Sequence, residues 1–149
     1  MQKAFNEDPK RVFNTELPPG IYAINGIYSG PMTSDEKPLI WIGSSRKDLG
    51  AMPRAVQREF GFALHLAQIG SRHSGAKVLR GFGSAGVIEV VEDFATDTYR
   101  AVYSVRFSDA VYVLHCFKKK STKGIETPKP DMDLIRKRLG DARQLAKGV

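Results

Sequence analysis

One cysteine, Cys116, is all this chain of 149 residues carries, so no disulfide framework can hold it together and a reducing cytoplasm is the expected compartment. Long hydrophobic runs are missing as well: nothing approaches the ~20 apolar residues of a membrane helix. The N-terminus has Glu7, Asp8 and Pro9 close behind Phe5 and lacks the apolar stretch of a secretory signal. Metal-ligand sets are absent, because His65, His73 and His115 fall on separate predicted elements with no cysteine or carboxylate at ligand spacing. No metal and no cofactor is therefore expected. Internal repeats and low-complexity tracts are also lacking, and the length suits one domain able to bury a core unaided.

Acidic residues are short relative to basic ones, giving a net charge of +7, and the imbalance is local. Residues 1–38 are close to neutral, whereas residues 118–149 alone carry ten Lys/Arg against four Asp/Glu. The densest basic run, Phe117-Lys118-Lys119-Lys120-Ser121-Thr122-Lys123, begins where the apolar pattern Ala110 to Cys116 gives out. A buried strand end can aim several lysines at one spot, and clustered cations without an acid among them attract phosphate. An anionic polymer, RNA first, is the implied partner.

Five of the eight prolines lie in residues 1–38, with Gly20, Gly26 and Gly30 around Ile21-Tyr22-Ala23-Ile24. The composition predicts an extended arm over residues 1–37, with one edge strand near Ile21 to Tyr28. A second reading takes Met32 as the natural start and residues 1–31 as upstream sequence. Regular patterning begins at residue 38 and runs to 149. Leu39 to Ile42 reads as a strand closed by Gly43, and Ser45 with Asp48 as a weak capping box for a short helix to Gly50. Pro53 suits the first turn of a long helix ending before Gly70. Val56, Phe60, Ala63, Leu64 and Ala67 share one face, and Phe62, Leu66 and Ile69 widen it enough to predict burial on two sides, against a helix and a sheet.

A polar loop from Gly70 to Gly86 leads to three strand patterns, Val87–Val91, Tyr99–Val105 and Val111–Phe117, whose short gaps predict an antiparallel meander. In the middle strand, Tyr99, Ala101, Tyr103, Val105 and Phe107 fall on one face and Arg100, Val102, Ser104 and Arg106 on the other, more polar one. A last helix starts at Asp131 or Asp133, with Leu134, Ile135, Leu139 and Leu145 on its apolar face. Arg136, Lys137, Arg138 and Arg143 lie on its outer side. Trp41, in an apolar strand, reads as core.

Several strings occur in one order: Lys37-Pro38-Leu39-Ile40-Trp41-Ile42-Gly43-Ser44-Ser45, Glu59-Phe60-Gly61-Phe62-Ala63-Leu64, Gly81-Phe82-Gly83-Ser84-Ala85-Gly86-Val87, Thr98-Tyr99-Arg100-Ala101-Val102-Tyr103, and Phe117-Lys118-Lys119-Lys120-Ser121 with Thr127-Pro128 beyond. Together they resemble the RelE/ParE superfamily of bacterial toxins, and within it the phage-derived, HigB-like branch, from about Lys37 to about Leu145. Collinear agreement over separate segments is what makes the resemblance specific. It implies an α+β, RelE-like fold: an N-terminal strand and two helices, a small antiparallel sheet, then a C-terminal helix. It also implies the toxin of a type II toxin–antitoxin pair, a ribosome-dependent endoribonuclease cutting messenger RNA, neutralised by a helix-turn-helix antitoxin.

Such cleavage needs no metal: the 2′-hydroxyl attacks the adjacent phosphorus, the 5′-oxygen leaves, and the enzyme aligns them and stabilises the phosphorane. The resemblance places Arg100, Lys118, Lys119 and Lys120 at the catalytic positions and the basic pair Lys77 and Arg80 beside the cleft; Arg106, on the Arg100 face, and Lys123, in the basic run, are further candidates for RNA contact. Taken without it, Arg100 reads as a surface arginine beside Arg106 on a solvated face, and the lysines as a loop that grips phosphate without moving protons. Gly81 and Gly83 either let backbone approach RNA or serve a turn. The chain departs from the RelE pattern in having no tyrosine after the last strand, and it lacks the histidine-rich end of some HigB toxins. Tyr99, Tyr103 and Tyr112 are spaced like core residues, and His115 reads as a sheet histidine. Two other functions stay open: a ParE-like, non-enzymatic inhibitor of DNA gyrase, and a toxin relic that binds RNA without cutting it.

Overall fold

The computed structural model of the protein describes residues 36–119 and 126–147. The predicted arm, including the strand near Ile21 to Tyr28, and Lys120 and Lys123 of the basic run lie outside the described residues. The chain order is β1 (Leu39–Trp41), α1 (Ser45–Gly50), α2 (Arg54–Gln68), β2 (Ala76–Val78), β3 (Val87–Phe94), β4 (Asp97–Ser104), β5 (Val111–Lys119) and α3 (Lys129–Lys147). These elements make the α+β architecture that the patterning predicts. Among the described residues no helix is long and apolar enough to cross a membrane.

The five strands form one sheet in the order β1-β5-β4-β3-β2. The meander β3–β4–β5 is antiparallel as expected, but the sheet as a whole is mixed, because β1 lies parallel to β5 with Leu39 beside Val111 and Trp41 beside Val113. β2, inside the stretch expected to be loop, adds an antiparallel edge strand against Ile88 to Val90.

Helices cover both faces of this sheet. On one side Leu49 of α1 and Val56, Phe60, Ala63, Leu64 and Ala67 of α2 pack on Ile88, Val90, Tyr99, Ala101, Tyr103, Val111, Val113 and Cys116. On the other, Ile135, Leu139 and Ala142 of α3 pack on Val87, Val102, Tyr112, Leu114 and Phe117. Trp41 is half-buried against the first cluster. A strand covered on both faces can be apolar at every position, which is why β5 is buried without a break from Val111 to Phe117.

This three-layer arrangement corrects the expected solvated face. Arg100, Val102 and Ser104 do share a side of β4, but α3 lies over it, leaving Arg100 only 4% exposed and Val102 and Ser104 fully buried. α2 differs in the opposite sense. It buries one broad face against the sheet and α1, and among the described residues Phe62 and Ile69 stand exposed rather than burying a second side. α3 starts at Lys129, before the expected aspartates. Its buried stripe contains Arg138, expected on the outer side, and leaves out Leu145, which is exposed. At α1 the N-cap is Ser44, one residue before the expected Ser45, and no side chain caps the helix; the Ser44 hydroxyl instead donates to Asp48 Oδ2 at 2.7 Å.

Candidate active site

β5 holds one residue more than β4 can match. Val102 lies opposite His115, but Tyr103 lies opposite Val113, so Leu114 is the extra residue of a β-bulge. The bulge leaves Leu114 and Phe117 on the α3 side and Val113 and Cys116 on the α2 side. His115 also meets α3, where its Nε2 pairs with Asp131 Oδ1 at 2.8 Å. Its ring stacks on Phe117 with centroids 4.5 Å apart, while Nδ1 is buried without a hydrogen-bond partner among the described residues.

The neighbouring strands extend this row. Directly opposite residues share a face, so Lys77, Glu89, Val102 and His115 line up across β2, β3, β4 and β5 on the side that α3 covers. One step along, Arg100 lies between Val91 and Phe117; one step further, Thr98 lies between Asp93 and Lys119. Successive rows on a face are ~7 Å apart, which makes Arg100 and Lys119 diagonal neighbours.

Arg100 is committed to an internal network. Its Nη1 donates to Glu89 Oε2 at 2.5 Å and to Thr127 Oγ1 at 3.2 Å, and Thr127 donates in turn to Glu89 at 3.1 Å. Both charged side chains are almost fully enclosed, 5% and 4% exposed. A buried guanidinium is tolerated only when paired and hydrogen-bonded, and this network supplies both. Thr127 and Asp131 belong to the segment that enters α3. The two bridges, Arg100–Thr127 and His115–Asp131, thus fasten the start of that helix to the sheet.

The predicted site residues are distributed as follows. Lys119 points to the α3 face with Arg100. Lys118, one residue back, points to the opposite face with Tyr99, stands half exposed, and lies 3.6 Å from Asp97. Lys77 is exposed at the β2 edge of the Glu89 row. Arg80 and Arg106 are both exposed but lie toward the other end of the sheet, Arg80 following Leu79, whose N–H donates to the Val87 carbonyl, and Arg106 against Gly86. Six residues of extended chain separate Arg106 from Arg100, ~20 Å. The structure brings Arg100 and Lys119 together on one face, whereas Arg80 and Arg106 lie away from them.

Sequence reasoning missed Glu89, Thr127 and Asp131 as partners. One signal was available: Glu89 is the only charge in Val87-Ile88-Glu89-Val90-Val91, and a lone acid in an apolar strand calls for a cation across the sheet. The tyrosines behave as core groups. Burial pushes the Tyr103 phenol up to about 12, and burial with the hydrogen bond to Asp109 does the same for Tyr112, so neither can act as a base near neutral pH. Burial also pushes the Cys116 thiol up, away from nucleophilic use. No group of three His, Cys, Asp or Glu among the described residues could hold a metal ion.

The family model described as phage derived protein Gp49-like (DUF891) matches residues 47–140, from α1 into α3. That span includes every residue singled out above as catalytic or RNA-contacting. No curated protein matches the chain at a significant level.

Proposed function

Because the chain belongs to the Gp49-like family of phage-derived proteins, within the RelE/ParE-like toxin superfamily, we propose that it is the toxin of a toxin–antitoxin pair that cleaves messenger RNA. The proposal extends to the HigB-like branch, to cleavage on the ribosome, and to a helix-turn-helix protein as the neutralising antitoxin. The observation that carries it is the juxtaposition of Lys119, at the basic end of β5, with Arg100 on the face where α3 begins.

In this reading the 2′-oxygen of the substrate attacks the adjacent phosphorus, the bond to the 5′-oxygen breaks, and negative charge accumulates on the phosphorane. Lys119 and Lys118, together with Lys120 and Lys123 further along the chain, bind that phosphate and its neighbours. Arg100 works from behind: its Nη1 is occupied by Glu89 and Thr127, so it orients the strand end and the entry to α3. Lys77, on the rim of the same face, contacts RNA further along, and Arg80 and Arg106 contact it at the other end of the sheet.

Expression of the protein in growing bacteria tests the reading. Messenger RNA cut at defined codon positions, with DNA supercoiling unchanged, is the expected outcome. Intact messenger RNA with arrested replication would favour a gyrase inhibitor, and RNA binding without cuts a relic.

A further inference from the structure

Beyond the strand end, one surface of the molecule combines an aromatic ring, a planar cation and bare backbone. Phe82 sits on the loop between β2 and β3, half-buried, its inner side packed against the α3-facing core. The guanidinium of Arg136, on α3, lies over that ring with Cζ 5.2 Å from the centroid. Asp133 Oδ1 accepts from Arg136 Nη1 at 3.4 Å, so the cation is held on one side by the ring and at one edge by a carboxylate. The Arg136 side chain nevertheless remains 54% exposed.

The loop is built to make this approach. Gly81 has a φ of +98°, and a Cβ there would come within 3.2 Å of Met132 Cε and 3.8 Å of Arg136 Nη2. Gly83 has a φ of +59° with open space around it. Glycines on both sides of Phe82 let the ring be pressed onto α3, and no Cβ at position 81 or 83 crowds the approach to it. Arg80, next along the loop, is exposed.

We infer that the Phe82–Arg136 pair is a stacking platform for one nucleobase of single-stranded RNA, with Arg80 beside it for the phosphate of the same nucleotide. The inference rests on the proposed RNA substrate and assigns that substrate a base-recognising contact away from the strand end. A guanidinium is planar and weakly hydrated, so one held against Phe82 and still half exposed can accept a base as an aromatic ring would. Lysine in the same place keeps the charge but has no plane to stack on. The contact therefore reads the presence of a base rather than its hydrogen-bonding edge.

Binding of two fluorescent decamers to the full chain at fixed salt tests this: oligoadenylate, and an abasic ribose-phosphate chain of equal length and charge. The wild type is expected to bind oligoadenylate roughly tenfold more tightly than the abasic chain, a single stacking contact of ordinary strength. Arg136→Lys should abolish that preference while binding the abasic chain within about twofold of wild type, and Phe82→Leu should act in the same direction. If Arg136→Lys keeps the full preference, or the wild type binds both decamers equally, the platform is overturned and the RNA reading stands. If the wild type binds neither decamer, the RNA reading falls and the platform with it.

Discussion

Arg138 of α3 donates from Nη1 to the carbonyl of Leu114 at 3.0 Å, and Leu114 is the extra residue of the β5 bulge. Its Nη2 donates to Ser44 Oγ at 3.0 Å, and Gly43 lies against the guanidinium so closely that a Cβ there would be 2.8 Å from Cζ. A bulge takes a carbonyl out of the strand ladder, and a buried carbonyl needs a donor. One arginine thus joins α3, the bulged strand and the turn from β1 into α1.

Arg138→Ala should accordingly destabilise the fold by about 2–4 kcal/mol, since it removes charged hydrogen bonds and the packing of the stem and leaves the Leu114 carbonyl unsatisfied. Gly43→Ala should be damaging too, because its φ of +58° and the contact with Arg138 both oppose a side chain. Urea unfolding of each variant measures both effects.

The Arg100–Glu89 pair gives a prediction about stability that is separate from activity. Arg100→Ala leaves Glu89 buried without its cation and should cost about 3–5 kcal/mol. Changing Arg100 to Met together with Glu89 to Leu should recover most of that loss, because apolar groups of similar volume need no partner. A double-mutant cycle by chemical denaturation reads the coupling. Loss of cleavage in Arg100→Ala alone would therefore say little about chemistry.

Lys118 and Lys119 offer the cleaner probe. Both are at the strand end and open no cavity when truncated, so each alanine variant should change stability by no more than about 0.5 kcal/mol. Lys119→Ala, on the Arg100 face, should lower cleavage by about a hundredfold, on the scale of losing one donor to a developing oxyanion. Lys118→Ala, facing the other way, should lower it far less. Single-turnover cleavage with parallel thermal melts separates the two.

Alkaline pH should unfold the protein through its tyrosines. Tyr103 and Tyr112 have phenols raised by burial to about 12 from an ordinary 10. Between those values the unfolded chain has lost the protons that the folded chain keeps, so stability falls as pH rises from about 10 to about 12. The loss is on the order of 2 kcal/mol for Tyr103. Tyrosinate absorbance should rise together with unfolding, and Tyr103→Phe should flatten the stability profile over that range.

Most elements were legible in the sequence because their signals are local. Pro53 and Gly70 bracket α2, and the three apolar runs with short polar gaps make the meander. β2 was not, since three residues, Ala76 to Val78, carry no period to read. The polarity of β4 misled for a physical reason: alternation records which residues share a face but not what covers it. Arg100 and Ser104 look solvated until α3, distant in sequence, is laid over them with Glu89 as a partner. Phe62 misled in the reverse sense, as an apolar residue that no other described element covers; it meets His73 edge-on and is otherwise exposed. For the site, the charge run marked the strand end but could not show that Lys118 and Lys119 face opposite ways, which depends on the register of β5 against β4.

Cleavage of messenger RNA through its own 2′-hydroxyl at the Lys119 end of the sheet has one decisive assay. The purified protein is incubated with ribosomes programmed with one defined messenger, alongside the same messenger with 2′-deoxyribose at the nucleotide preceding the cut. The all-ribose message should be cut, leaving a 2′,3′-cyclic phosphate end, with no cut at the deoxy position. An uncut message, or equal cutting of both, would contradict it.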